Sequence, residues 1–224
     1  KSESLEFGNR VHLAIDKILK LKKIPSPKEL QEITDGDREV FKIVSKWVEA
    51  RLSDISKDRE NEQSVSVLDD RFPHLNIYGK IDLIEKLDTD SVRVTDFKTG
   101  SVRKKSEIEK MTEDPAIGGA SVRMSPYLRQ LAMYSYLIKQ SKNWKVDVSE
   151  SRLEFVEAKN PSETFYNTVI KDEQIDLIVK DIKDYDELVK GGEWINRPCN
   201  YNSYGKNIEC EYCKMAGIYN PQKI

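Results

Sequence analysis

Cysteine is scarce in this 224-residue chain: there are three, Cys199, Cys210 and Cys213, all near one end. An odd number confined to 15 residues argues against a disulfide framework. Long apolar runs are missing as well. None approaches the roughly 18–20 residues that cross a bilayer, so no membrane association is expected. The N-terminal residues lack a signal-peptide pattern, which makes the cytoplasm the default location. The first helical pattern begins so close to Lys1 that a longer natural chain is expected. A strong charge of either sign is absent too: 37 basic against 39 acidic residues leave a net charge of −2, so the total does not advertise nucleic-acid binding. No internal repeat or low-complexity tract is present. What remains is a composition of 38% hydrophobic and 34% charged residues, that of a soluble globular protein long enough for one well-packed domain over 1–224. Residues 191–224 read as a cysteine-containing C-terminal extension.

Periodicity orders the rest. Leu5, Val11, Ile15, Ile18 and Leu19 recur at helical spacing and predict a helix from Leu5 to Lys22, ended by Pro25 and Pro27. Val40, Ile43, Val44, Trp47, Val48 and Leu52 predict a second, from Glu39 to Leu52. Val65, Val67 and Phe72 mark a first strand, followed by a two-stranded hairpin. The polar stretch from Ser101 to Pro126, with Pro115, Gly118 and Gly119, reads as a long mobile loop whose length suits a functional lid. Ser125-Pro126 opens a helix from Tyr127 to about Ser141, with proline in the tolerated first turn. Two strands, Val148–Val156 and Thr164–Val169, flank an Asn160-Pro161 turn, and a last helix runs from Asp172 to Lys190 before Gly191-Gly192. This order predicts an α/β fold, a central mixed β-sheet flanked by helices.

The hairpin carries the chemistry. Ile77, Ile81, Leu83 and Ile84 lie on one side of the polar turn Leu87-Asp88-Thr89-Asp90-Ser91, and Val92, Val94 and Phe97 on the other. A three-residue loop centred on Thr89 sets Asp82 opposite Asp96 and Lys80 opposite Lys98. Opposed strand residues have Cβ atoms about 4.5–5.5 Å apart. Two carboxylates that close repel unless a cation joins them, and oxygen ligands favour a hard divalent ion such as Mg²⁺ or Mn²⁺. Strand alternation puts Lys98 on the face of Asp96. The following run, Lys98 to Lys105, adds Arg103, Lys104 and Lys105 and forms a local basic tract beside the pair. A solvated hairpin and loop would explain each of these features alone.

Two further segments keep the hairpin company. His12 lies on the first helix in Gly8-Asn9-Arg10-Val11-His12, and neutral imidazole is a common metal ligand. Gln130 and Tyr134 stand four apart, on one face of a later helix. Taken singly, they read as a structural histidine, a surface glutamine and a packed tyrosine. Together and in this order, the blocks Gly8…His12, Gly79-Lys80-Ile81-Asp82, Asp96-Phe97-Lys98-Thr99-Gly100 and Gln130…Tyr134 resemble the PD-(D/E)XK nuclease superfamily, specifically its RecB/AddB-like exonuclease branch. The resemblance spans roughly Phe7 to Ile138, and Glu62 matches an acidic residue often found before the first strand.

The resemblance implies a restriction-endonuclease-like core and a Mg²⁺- or Mn²⁺-dependent deoxyribonuclease, an exonuclease or end-processing enzyme of repair, recombination or phage DNA metabolism. It implies that Asp82, Asp96, His12 and the Phe97 backbone carbonyl hold the metal, which lowers the pKa of bound water and neutralises the phosphate. Lys98 would orient the attacking water and offset developing charge, with Gln130 and Tyr134 in support. The implied partners are DNA, single-stranded or at duplex ends, and a helicase in cis or in trans, in the cytoplasm or in a phage host's. Two rivals stay open: a catalytically silent DNA-binding or scaffolding module of a helicase–nuclease complex, and an RNA-directed nuclease of the same fold.

Several nucleases of this branch staple the domain ends with an iron–sulfur cluster, using one cysteine before the histidine helix and three near the C-terminus. Here Cys210 and Cys213 match the expected pair and Cys199 could be a third ligand. Tyr219 stands where the next cysteine is expected, and none precedes His12. A four-thiolate cluster is incomplete on this chain, a zinc site lacks a fourth ligand, and the balance favours reduced thiols.

Overall fold

The structure, a computed structural model, describes residues 3–114 and 121–191. Cys199, Cys210 and Cys213, with the rest of the extension beyond Gly191, lie outside the described residues. Lys1–Lys180 form one compact unit and Asp181–Ile224 a second.

Three helices come first: α1 (Glu3–Lys20), α2 (Pro27–Ile33) and α3 (Arg38–Arg51). Helix α1 buries Val11, Ala14, Ile15, Ile18 and Leu19 along one stripe, and the chain leaves it where Lys22 takes a φ of 54°. Helix α2 corrects the sequence reading, in which Pro25 and Pro27 only ended the first helix. Ser26 accepts from the Glu29 N–H while the Glu29 carboxylate accepts from the Ser26 N–H, and Pro27 fills the first turn, where its missing N–H costs nothing. Helix α3 is capped by Asp37, which accepts from the N–H groups of Glu39 and Val40.

Strands β1 (Arg59–Val67), β2 (Ile77–Lys86) and β3 (Ser91–Lys98) follow. Strand β1 starts earlier than predicted, so Glu62 lies inside it, and Phe72 belongs to the turn beyond, with its N–H bonded to Asp69 O at 2.8 Å. The expected loop over 101–126 also carries regular structure. It contains a single helical turn, α4 (Lys105–Ile108), and a two-stranded ladder of β4 (Met111–Asp114) and β5 (Ser121–Met124). Polar residues satisfied by a local ladder had looked like loop. Helix α5 (Pro126–Gln140) begins at a Ser125 cap, as predicted, and β6 (Asp147–Phe155), β7 (Phe165–Thr168) and α6 (Asp172–Gly191) complete the described chain.

The main sheet has five strands in the order β1-β2-β3-β6-β7. Its β3–β6 pair is parallel and the other pairs are antiparallel, so the sheet is mixed. Helices α1, α2 and α3 pack on one face around Leu83, Phe97 and Val156. On the other face lies α5, where Leu131 packs with Leu153, Phe155, Tyr166 and Ile108. Removing one such buried leucine or isoleucine costs about 2–5 kcal/mol, so each layer holds the sheet rigidly between helices. Tight packing also explains Gly79: a Cβ there would collide with the Leu137 side chain of α5.

Candidate active site

Leu83 pairs with Thr95, Ile84 with Val94, Glu85 with Arg93 and Lys86 with Val92, the register that a loop centred on Thr89 predicts. The ladder then stops one step before Asp82 and Asp96. Strand β2 continues alongside β1 to Ile77, while β3 continues alongside β6 to Lys98. The two central strands therefore part, and the candidate site lies where they do. Lys80 consequently does not face Lys98 as predicted: it sits across from Ser64 in the β1–β2 ladder and pairs with Glu62.

Asp82 bridges the gap, its Oδ2 accepting from the Phe97 N–H at 2.8 Å. Since Lys98 O accepts from Val156 N–H on the β6 side, strand alternation turns the Phe97 carbonyl toward β2 and the gap. From α1, His12 brings Nδ1 to 3.5 Å from Asp82 Oδ2. The imidazole stands edge-on to Phe97 with centroids 6.2 Å apart, and Phe97 stands edge-on to Trp47 at 5.8 Å. This aromatic file positions the histidine.

Glu62 is the residue that sequence reasoning only half saw. Its neighbours Asn61 and Gln63 pair with Leu83 and Ile81, which places it directly opposite Asp82. Its φ of 53° is rare for a residue with a side chain. His12, Glu62 and Asp82 each offer a ligand atom, all within 4.8 Å of one another. No local pattern in the sequence signals that geometry. Close by, Asp16 of α1 accepts from Asn61 Nδ2 and, at 2.7 Å, from Lys20 Nζ, tying α1 to β1.

Asp96 sits on the α5 side. Gln130 Nε2 donates to its Oδ1 at 2.5 Å and Tyr134 Oη at 3.1 Å. Lys98 Nζ donates to Gln130 Oε1 at 2.7 Å and lies 2.8 Å from Asp96 Oδ2. The last contact is an ion pair without hydrogen-bond geometry, so this buried oxygen has no hydrogen-bond partner among the described residues. Burial first, then the charge of Asp82, pushes Asp96 up to about 6, with Lys98 and Tyr134 pulling the other way. Burial, followed by Asp96 and Asp82, raises Tyr134 and keeps it a donor. For His12 burial works downward, but the hydrogen bond and charge of Asp82, with Asp96 and Glu62 behind, raise it above its ordinary value.

The end of β3 is held from both sides. Gly100 has a φ of 89° and donates to Glu157, and a Cβ on Gly8 would stand 2.9 Å from Thr99 Oγ1. The glycine of the Gly8…His12 block thus lets α1 close on the turn after Lys98.

All the predicted site residues within the described chain converge here: His12, Asp82, Asp96, the Phe97 carbonyl, Lys98, Gln130 and Tyr134. The set His12, Glu62 and Asp82, with Asp96 beside it carrying one buried oxygen that lacks a hydrogen bond, suits a divalent cation. A mixed sheet with helices on both faces and this acid–lysine constellation at its parting strands defines a nuclease on a restriction-endonuclease-like core. The chain belongs to the PD-(D/E)XK nuclease superfamily, whose family profile matches residues 1–218. Enzymes of this superfamily are generally metal-dependent phosphodiesterases. Among solved structures, it is similar to a candidate exonuclease from Eubacterium rectale, at 10% identity and a TM-score of 0.41 over 83% of this chain and 67% of that one. It is similar also to SSO0001, at 16% identity and a TM-score of 0.32 over 88% and 77% of the two chains. No curated protein matches the sequence. Among the described residues, no helix is long and apolar enough to cross a membrane.

Proposed function

We propose that this protein is a metal-dependent deoxyribonuclease of the RecB/AddB-like branch that trims DNA from ends in repair, recombination or phage DNA metabolism. A helicase, in cis or in trans, is its proposed partner. The convergence of His12, Asp82, Asp96 and Lys98 at the parting of β2 and β3 supports this reading above all else.

Asp82, Asp96, His12 and the Phe97 carbonyl would hold Mg²⁺ or Mn²⁺, and Glu62 is placed to join them. Such an ion supplies Lewis-acid activation of water and neutralises phosphate charge. The chain's own groups do the rest. Lys98 carries a positive charge at the α5 side of the gap, where it can orient the attacking water and offset charge that develops on the phosphate. Gln130 fixes Lys98 and Asp96 relative to each other, and Tyr134 donates to the Oδ1 of Asp96 and so holds the carboxylate in place. The aromatic file behind His12 keeps the imidazole aimed at Asp82 without contributing charge.

Digestion of end-labelled single- and double-stranded DNA, linear and circular, with Mg²⁺ or Mn²⁺ tests the proposal. Linear DNA should be degraded and circular DNA should survive. Asp82→Ala, Asp96→Ala and Lys98→Ala should each abolish digestion while circular dichroism shows a folded protein. Full activity in Asp96→Ala would sink the assignment, and cleavage of circles would replace end-trimming with internal cutting.

A further inference from the structure

Asp16 is a buried charge with no part in the proposed chemistry. It is 7% exposed and stands one helical turn after His12, on the same face of α1. Both its oxygens are engaged: Oδ1 accepts from Asn61 Nδ2, and Oδ2 accepts from Lys20 Nζ at 2.7 Å. Among the described residues it stands outside the cluster of His12, Glu62 and Asp82 that could hold a cation. Its partner Asn61 immediately precedes Glu62 on β1. There the β1–β2 ladder skips a step: Asn61 pairs with Leu83 and Gln63 with Ile81, but no pair joins Glu62 to Asp82.

We propose that Asp16 is a positioning residue for the metal site: through Asn61 it holds Glu62 in a left-handed conformation and so keeps the Glu62 carboxylate beside His12 and Asp82. The inference rests on the metal-dependent reading above. A φ of 53° is unfavourable for a residue with a Cβ and persists only where the surroundings impose it. Glu62 lacks the ladder pairing that could impose a backbone conformation, so the constraint comes from its neighbours. Asn61 is anchored to α1 by Asp16, and the Glu62 carboxylate itself is held by the Lys80 ammonium. Freed from Asp16, the backbone at Glu62 can relax to the extended conformation of the flanking strand. An extended residue there would follow the strand's alternation, which re-aims the carboxylate. A plain tie between α1 and β1 is supplied elsewhere, since Arg59 Nη2 donates to Leu19 O at 2.9 Å. Asp16 therefore acts locally, and α1 brings two proposed ligands to the cation: His12 by its own side chain and Glu62 through Asp16 and Asn61.

Calorimetric titration with Mn²⁺, on variants that circular dichroism shows to be folded, tests the role. Asp16→Ala and Asn61→Ala should each weaken Mn²⁺ binding about ten-fold, the scale of an outer group that orients a metal ligand. The double variant should bind no more weakly than either single one, because the two residues act as one unit. Asn61→Ala leaves the Asp16–Lys20 pair and the charge of Asp16 in place, so it separates positioning from electrostatics and carries the test if Asp16→Ala does not fold. Asp16→Asn keeps an oxygen for Asn61 and should recover most of the affinity. In a Glu62→Gln background, Asp16→Ala should change Mn²⁺ affinity by less than about two-fold, whereas a merely structural role would weaken binding equally with and without Glu62. Where Glu62→Gln no longer binds Mn²⁺ measurably, the Asp16–Asn61 double variant decides. Affinity that Asn61→Ala leaves unchanged, an additive double variant, or a loss as large without Glu62 as with it would overturn the inference and leave the metal site standing. No Mn²⁺ binding by the unsubstituted protein would overturn the metal reading, and this inference with it.

Discussion

At the scale of single residues the site is held at a cost in stability. Asp96 is 2% exposed, one of its oxygens lacks a hydrogen bond, and Asp82 adds a second negative charge nearby. Without metal such an arrangement opposes folding. Asp96→Asn should therefore be inactive on DNA yet melt higher than the unsubstituted protein in EDTA. A lower melting temperature in thermal scans would show that the carboxylate stabilises the fold. Asp69 behaves in the opposite sense. Arg71 donates to both its oxygens and Tyr136 Oη donates to Oδ2 at 2.6 Å, which holds this carboxyl well below the usual range. A depressed carboxyl stabilises the fold above its unfolded pKa, near 3.8, and the contribution fades as pH falls below that value. Urea titrations should show Asp69→Asn less stable by about 2 kcal/mol at pH 7, with the gap narrowing below about pH 4. A gap that stays constant with pH would mean that packing, not charge, is lost.

Elements bring these residues together by close approach, and the tightest one is testable. Gly8→Ala places a methyl group against Thr99 Oγ1 at 2.9 Å, so α1 or the turn after Lys98 must shift. Activity should fall by about ten-fold or more, since a displacement near 1 Å can cost about a hundred-fold. Stability should change far less. Gly8→Ala/Thr99→Ala should recover much of the activity, and a double variant as impaired as the single would remove this contact from the explanation. The same scale shows what the sequence could and could not reveal. Alternation on β2 and β3 and a polar turn fixed the register that sets Asp82 beside Asp96, and helical spacing put Gln130 with Tyr134. Nothing in the sequence reported that β2 and β3 part after Leu83, because strand patterning describes faces rather than ladders. Glu62 was obscured for a related reason: its position depends on a positive φ that only glycine, or at times asparagine, advertises. Helix α2 was lost to two prolines read as terminators when one of them starts a helix.

For the whole molecule, metal and fold should be coupled. The proposed ligands come from α1, β1, β2 and β3, elements far apart in sequence, so the unfolded chain cannot present them together. A divalent ion at a hundred times its dissociation constant should add about 2.7 kcal/mol to stability. Mn²⁺ should thus raise the melting temperature of the unsubstituted protein by a few degrees, and that of Asp82→Ala by much less. Calorimetric titration that finds no Mn²⁺ binding would favour a catalytically silent module. The basic tract shows how little the total charge reveals: a net charge of −2 concealed three cations, Arg103, Lys104 and Lys105, that line one cavity. Summed charge says little about a surface on which acids and bases are segregated.

The parting of β2 from β3 has a consequence for how this enzyme could be divided. His12, Glu62 and Asp82 precede the Thr89 turn, whereas Asp96, Lys98, Gln130 and Tyr134 follow it, and the gap is the seam where the two sets meet. A chain cut at that turn would yield two fragments, each with its own strands and helices and neither with all of the proposed metal ligands and Lys98. Nuclease activity on mixing them would report their reunion, which makes the turn a natural place to build a split enzyme.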